Sequence, residues 1–176
     1  ALRSEYNQQS FTEFLDRYQG LKCFDVNLRE GQNDIQVVCD FLQQADFIKL
    51  NESELEQVAS HFTLSAKTIE KRILALIDVI GDKVICITRG NNAPLLYLQG
   101  KIYQGQAIHV NVKNTIGAGD AFFAAMINAL ITPHFEPIAA LHKASTLGSW
   151  VATKEGAQPE YENCITEKLS DYQAVL

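Results

Sequence analysis

"SAKTIEKRILALIDVIGDKVICIT", residues 65–88, joins an apolar face at helical spacing to a short run with almost no polar residue. Ile69, Ile73, Leu76, Ile77 and Ile80 recur three or four positions apart, which places them on one side of a helix that stops at Gly81. "KVICIT" (83–88) is continuously apolar, the pattern of a strand covered on both faces, as happens when helices flank a sheet on either side. Toward the N-terminus the same succession repeats. The strand "LKCFDVN" (21–27) precedes the helix "IQVVCDFLQQ" (35–44), capped by Asp34; the run "DFIKL" (46–50) precedes the helix "ESELEQVASHF" (52–62), capped by Asn51. Ahead of these lies a helix "FTEFLDRYQ" (11–19), with Ser10 as its cap and Gly20 as its stop, carrying Phe11, Phe14, Leu15 and Tyr18 at helical spacing. Helices alternating with short apolar strands predict the α/β class, with a doubly wound, mainly parallel sheet.

Toward the C-terminus the rhythm changes. "APLLYLQGKIYQG" (93–105) predicts a hairpin turning near Gln99-Gly100, and "AIHVNV" (107–112) alternates like a strand, so an antiparallel edge is expected beside the parallel strands. Two helices follow, "GAGDAFFAAMINALI" (117–131) and "EPIAALHKASTLGSWVATK" (136–154), the second with Pro137 in its first turn. "ALRSEYNQQS" (1–10) opens in mid-rhythm with no strand of its own, which predicts missing upstream sequence.

The 176 residues, 47% apolar, suffice for one domain over 1–176. A formal charge of −6 without any Lys/Arg-dense stretch argues against a nucleic-acid partner and against an anionic membrane surface. A small-molecule partner is the expectation. Cys23, Cys39, Cys86 and Cys164 sit far apart without zinc-ligand spacing, and free thiols predict a reducing, cytoplasmic setting.

The chemistry concentrates at four places. "NTIGAGDAFFAAM" (114–126) sets Gly117, Ala118 and Gly119 at a loop-to-helix junction, where a backbone without side chains comes close to a ligand and unpaired first-turn N–H groups favour an anion. Asp120 in that first turn suits a base accepting a proton from an attacking hydroxyl, or simply an acid stabilising a helix start; the glycines equally suit close helix packing. "LNESEL" (50–55) pairs Asn51 with Glu54 at capping-box spacing. "ITRGNNAP" (87–94) places Thr88 and Gly90 just past an apolar strand, where open α/β sheets bind ligands and where a plain turn also fits. "FDVNLRE" (24–30) puts Asp25, Asn27 and Arg29 at another strand end, with Arg29 able to grip a phosphate or carboxylate or to pair with a surface acid.

Together these segments resemble the C-terminal part of PfkB-type, ribokinase-like carbohydrate kinases, and among them the fructokinases. The family signature D-T-x-G-A-G-D is matched at six of seven positions by Asn114 to Asp120. N-x-x-E is matched by Asn51 and Glu54, T-x-G by Thr88 and Gly90, and D-x-N-x-R by Asp25, Asn27 and Arg29; "VATKEGAQPEY" (151–161) resembles the terminal loop with its Gly156-Ala157 pair.

The resemblance implies a ribokinase-like nucleotide-binding and catalytic part over 1–176, with the N-terminal part and lid missing because family members run to about twice this length. It implies ATP-dependent phosphorylation of a sugar hydroxyl, with Asp120 as base and Gly117, Ala118 and Gly119 as anion hole. Thr88, Gly90, Ser145, Gly156 and Ala157 would meet ATP; Asn51 and Glu54 would organise Mg²⁺, largely through water; Asn27 and Arg29 would face the sugar. Intact relatives of this kind would form homodimers through the lid, and this chain alone would not turn over. A catalytically silent module that binds nucleotide or a partner is the alternative. Asn114 stands where the family has Asp, a carboxylate that helps hold a monovalent cation in K⁺-using relatives. Asn keeps an acceptor oxygen and loses the charge. Replacing K⁺ by a bulky organic cation should therefore leave the rate of the intact kinase nearly unchanged; a large drop would contradict this expectation.

Overall fold

Four helices begin at a side chain that accepts a hydrogen bond from the first turn, and these caps set the boundaries of the N-terminal elements. The computed structural model describes residues 4–28, 34–163 and 165. Ser4 caps α1 (Glu5–Arg17), Asp34 caps α2 (Ile35–Gln44), Asn51 caps α3 (Glu52–His61) and Thr68 caps α4 (Ile69–Ile80). Helix α1 thus starts six residues before the position expected from Ser10, because Ser4 accepts the Asn7 N–H at 3.3 Å and Glu5 adds an acid to the first turn. None of its residues is buried: Phe11 is 44% and Phe14 56% exposed.

The strands β1 (Cys23–Asp25), β2 (Phe47–Asn51), β3 (Val84–Arg89), β4 (Asn92–Leu98) and β5 (Lys101–Gln104) form one sheet in the order β1-β2-β3-β4-β5. β1 and β2 pair in parallel, with Cys23 opposite Phe47, Phe24 opposite Ile48 and Asp25 opposite Lys49. Links of two residues, Gly90-Asn91 and Gln99-Gly100, can join only antiparallel neighbours, so the sheet is mixed and its antiparallel part begins at β3. Gln99 and Gly100 both have positive φ, 47° and 79°, the backbone of the tight hairpin turn expected there. The alternating stretch 107–112 belongs to no strand. Helices alternating with the strands of this mixed sheet give the α/β class.

The chain falls into two compact units, the first from residues up to Ile87 together with Tyr97–Ile102, the second from Thr88–Leu96 together with residues from Tyr103 onward. In the first unit, four successive residues of β2 are buried and Ile85, Cys86 and Ile87 are fully buried, the double-sided burial that a continuously apolar run demands. Leu42, Leu55, Ile73 and Leu76 are also fully buried, each worth roughly 1.5–3 kcal/mol of apolar burial. In the second unit α5 (Ala118–Leu130) packs on α6 (Pro137–Ala152). A Cβ on Gly148 would lie 2.9 Å from the Ala118 carbonyl oxygen and 3.2 Å from the Phe122 Cβ, so the glycine lets α6 approach the first turn of α5.

Helix α3 ends in a Schellman arrangement: Thr63 N–H donates to Ser60 O at 3.1 Å and Leu64 N–H to Ala59 O at 2.8 Å. That motif needs a left-handed residue, and here a β-branched threonine holds φ at 57°. Thr63→Gly should stabilise the first unit by about 1 kcal/mol, seen as a higher urea midpoint at unchanged slope.

Candidate active site

In the first unit, polar residues cluster where β1 and β2 end. Lys49 Nζ donates to both carboxylate oxygens of Asp25, each at 2.9 Å, across the parallel register that sets them opposite. Lys49 is 7% exposed. At the last residue of β2 the capping box closes, with Asn51 Oδ1 accepting Glu54 N–H at 2.8 Å and Glu54 Oε2 accepting Asn51 N–H at 2.7 Å. Glu54 Oε1 accepts the Leu28 N–H at 3.0 Å, so this carboxylate ties the α3 start to the segment after β1. Burial lifts the Glu54 carboxyl above its ordinary range, against the pull of the Asn51 N–H, the Lys49 charge and the Leu28 N–H. The capping reading of N-x-x-E is therefore realised, and each carboxylate oxygen already serves a backbone donor. Asn27 sits beside this anchor with φ at 44°, a left-handed conformation that asparagine tolerates better than most residues. Arg29 lies outside the described residues.

In the second unit, a cavity of about 270 Å³ is lined by Thr88, Gly90, Ala118, Gly119 and Ser145 among others. Ile108, Val110 and Val112 line it as well, so the alternation of "AIHVNV" marks residues facing a cavity instead of a sheet. Ser145 is 8% exposed, and its Oγ is buried with no hydrogen-bond partner among the described residues. A buried hydroxyl left in that state beside a cavity fits a ligand that supplies the missing partner.

The glycine loop borders the same cavity. Gly117 caps α5 in the left-handed region (φ 82°, ψ −13°), and no side chain caps the helix, unlike α1 to α4. Ala118 N–H reaches Thr115 O at 3.2 Å, and Ala121 N–H donates to Gly117 O at 2.9 Å. Between them, the N–H groups of Gly119 and Asp120 have no acceptor within the helix, as its geometry dictates. Asp120 stands exposed in the first turn. A Cβ on Gly117 would lie 2.4 Å from the Ala157 carbonyl oxygen and 2.8 Å from the Ala157 Cα, so only glycine allows the Gly156-Ala157 loop to come this close. Asn114 Oδ1 accepts the Ile116 N–H at 3.0 Å, while the N–H groups of Lys113 and Asn114 both reach Ala152 O, at 2.8 and 3.2 Å. The leading asparagine thus folds the loop as an Asx turn.

The structure brings Thr88, Gly90, Ala118, Gly119 and Ser145 onto one cavity and Gly117 against Ala157; Asn51 and Glu54 meet the Asn27-Leu28 segment in the other unit. Lys49 and Gly148 escaped the sequence reading. A lysine inside the apolar run "DFIKL" and a glycine inside a helix were the available signals. Among the described residues, no helix is long and apolar enough to cross a membrane.

A family model described as "pfkB family carbohydrate kinase" matches residues 2–164. The Arabidopsis thaliana protein named "Probable fructokinase-2" is 28% identical over 150 residues, covering 79% of this chain and 44% of its own length. A fructokinase of Escherichia coli is 30% identical over 117 residues, covering 63% of this chain and 36% of its own. The crystal structure of a fructokinase with bound ATP from Xylella fastidiosa superposes with a TM-score of 0.77 at 22% identity, over 98% of this chain and 59% of that one. A ribokinase from Thermotoga maritima gives 0.74 at 23% identity, over 94% and 53%. The chain thus spans about half the length of most of these relatives.

Two glycines separate the cost of conformation from the cost of contact. Gly90 is left-handed (φ 56°) with open space around its would-be Cβ, whereas Gly117 is left-handed and hemmed in by Ala157. Gly90→Ala should cost about 1 kcal/mol and Gly117→Ala about 2–4 kcal/mol in denaturant titration. Equal losses would mean that the approach to Ala157 is not what demands glycine.

Proposed function

The chain belongs to the pfkB family of carbohydrate kinases, and from that premise we propose that it is the C-terminal nucleotide-binding and catalytic part of a ribokinase-like domain that transfers the γ-phosphoryl group of ATP to a sugar hydroxyl. The observation that carries the reading is the start of α5: a left-handed glycine, no side-chain cap, free first-turn amides and Asp120. This start shares its cavity with the strand-end Thr88 and Gly90 and with the unpartnered hydroxyl of Ser145.

The chemistry follows from that geometry. Asp120 takes the proton of the sugar hydroxyl as its oxygen attacks phosphorus, and lies far enough out in the first turn to be reached by an acceptor. In the Gly117-Ala118-Gly119 loop the Ala118 N–H already turns to Thr115 O, so the Gly119 amide, with that of Asp120 beside it, faces the charge that spreads over the transferring group, an electrostatic contribution that needs no reorganisation during the step. Thr88, Gly90 and Ser145 hold the nucleotide, with Gly156 and Ala157 bordering it. Asn51 and Glu54 would hold Mg²⁺ through water, since both Glu54 carboxylate oxygens already accept backbone N–H groups. The metal, when bound, neutralises phosphate charge. Asn27 contacts the acceptor, a role that the D-x-N-x-R resemblance extends to Arg29, and the fructokinase relatives make fructose the first choice of acceptor.

The test uses the full-length protein and follows ADP release across a panel of sugars with and without Asp120→Ala. Fructose should support release, and the alanine variant should lose about 10²–10⁴-fold in kcat at little change in nucleotide affinity. If no sugar supports release, or if the variant matches its parent, the kinase reading fails.

A further inference from the structure

After α6 the chain turns back onto the helix it has just left. Thr153 N–H and Oγ1 both donate to Trp150 O, at 3.0 and 2.7 Å, and Lys154 N–H donates to Val151 O at 2.9 Å. Eight residues on from Thr153, the Tyr161 ring stacks on Trp150 with centroids 5.4 Å apart and planes 25° from parallel. Lys154 Nζ lies 5.1 Å from the centre of the same Trp150 ring and forms an ion pair with Glu162. The loop is therefore tied at both ends to the C-terminal turn of α6.

The ties do not serve a core, for Tyr161 is 58% exposed and Glu155, Gly156, Ala157 and Gln158 are exposed as well. What the loop does touch is Gly117: the Ala157 backbone occupies the space a Cβ there would need. The same turn of α6 holds the other side of the glycine loop, through the Ala152 carbonyl that receives the Lys113 and Asn114 N–H groups. Both approaches to the start of α5 are thus anchored on residues 150–154.

We propose that the Trp150–Tyr161 stack, closed over by Lys154 and Glu162, is a clasp that positions the glycine loop by holding Ala157 against Gly117. Tyr161 acts through the loop and is a positioning residue; it contacts no reacting atom. Its consequence for phosphoryl transfer rests on the function proposed above, whereas its mechanical part concerns this chain alone. Stacking contributes a factor of about two to ten in such an equilibrium, so the clasp is strong enough to bias the loop and weak enough to release it.

Amide hydrogen exchange on the 176-residue chain tests the clasp directly. Tyr161→Ala should raise the exchange rates of the Ala118 and Ala121 amides about fivefold. The Met126 amide in the middle of α5 should be unchanged, and Tyr161→Phe, which keeps the stack, should match the parent. Glu162→Gln, a milder change that leaves the rings in place, should give a smaller rise at the same two amides. Unchanged rates at Ala118 and Ala121, or an equal rise along the whole of α5, would overturn the proposal. A parallel titration of the full-length protein with ADP separates the two readings: Tyr161→Ala should weaken ADP binding by about fivefold. If the parent binds no ADP while the exchange pattern holds, the kinase reading fails and the clasp stands.

Discussion

A single backbone contact, Gly117 against Ala157, constrains the second unit. It can exist only where no Cβ intervenes, and it fixes the left-handed turn from which α5 departs. Once that turn is fixed, the first-turn amides keep their outward direction and Asp120 keeps its place in the turn. Gly148 extends the same logic to the next layer, since its missing side chain lets α6 close on Ala118 and Phe122. The site is therefore made less by its polar side chains than by the absence of side chains at two positions.

The first unit solves the opposite problem, that of keeping charges inside. Lys49, Asp25 and Glu54 lie within a largely apolar surround, where an unpaired ion would be expensive. Lys49 and Asp25 neutralise one another, and Glu54 draws two backbone N–H groups to its oxygens. Burial still leaves its carboxyl raised. A carboxyl raised in the folded state favours folding most at low pH, and that contribution fades as pH climbs through the raised value. The arrangement is thus a compromise in which Glu54 orders the Leu28 and Asn51 backbones at some cost in stability near neutral pH.

The α/β class was legible because "KVICIT" and "DFIKL" carry burial on both faces in their composition, and the caps Asp34 and Asn51 were legible because capping chemistry is local. Ser4 was missed for a competing local signal: Ser10 also precedes an apolar run, and only the hydrogen bond to Asn7 tells them apart. The alternation of "AIHVNV" was real, yet period two reports only that one side is apolar, and here that side faces a cavity. The glycine signature could be found by inspection, whereas its partner could not. Nothing in the string "EGAQPEY" says that Ala157 will press on a residue forty positions earlier. Lys49 was invisible for a similar reason, because its burial depends on the register that puts Asp25 opposite.

The sheet joins two kinds of pairing, and they differ in what must come together before a strand is rewarded. β3, β4 and β5 are linked by two-residue turns, so each pairing closes almost no loop. β1 meets β2 only after a helix has been crossed, with Cys23 and Phe47 standing 24 positions apart. Topology of this mixture places the entropic cost of assembly on the parallel edge. The meander from Val84 to Gln104 is the most local part of the sheet, whereas β1 and β2 both join it only through contacts that span one or more helices.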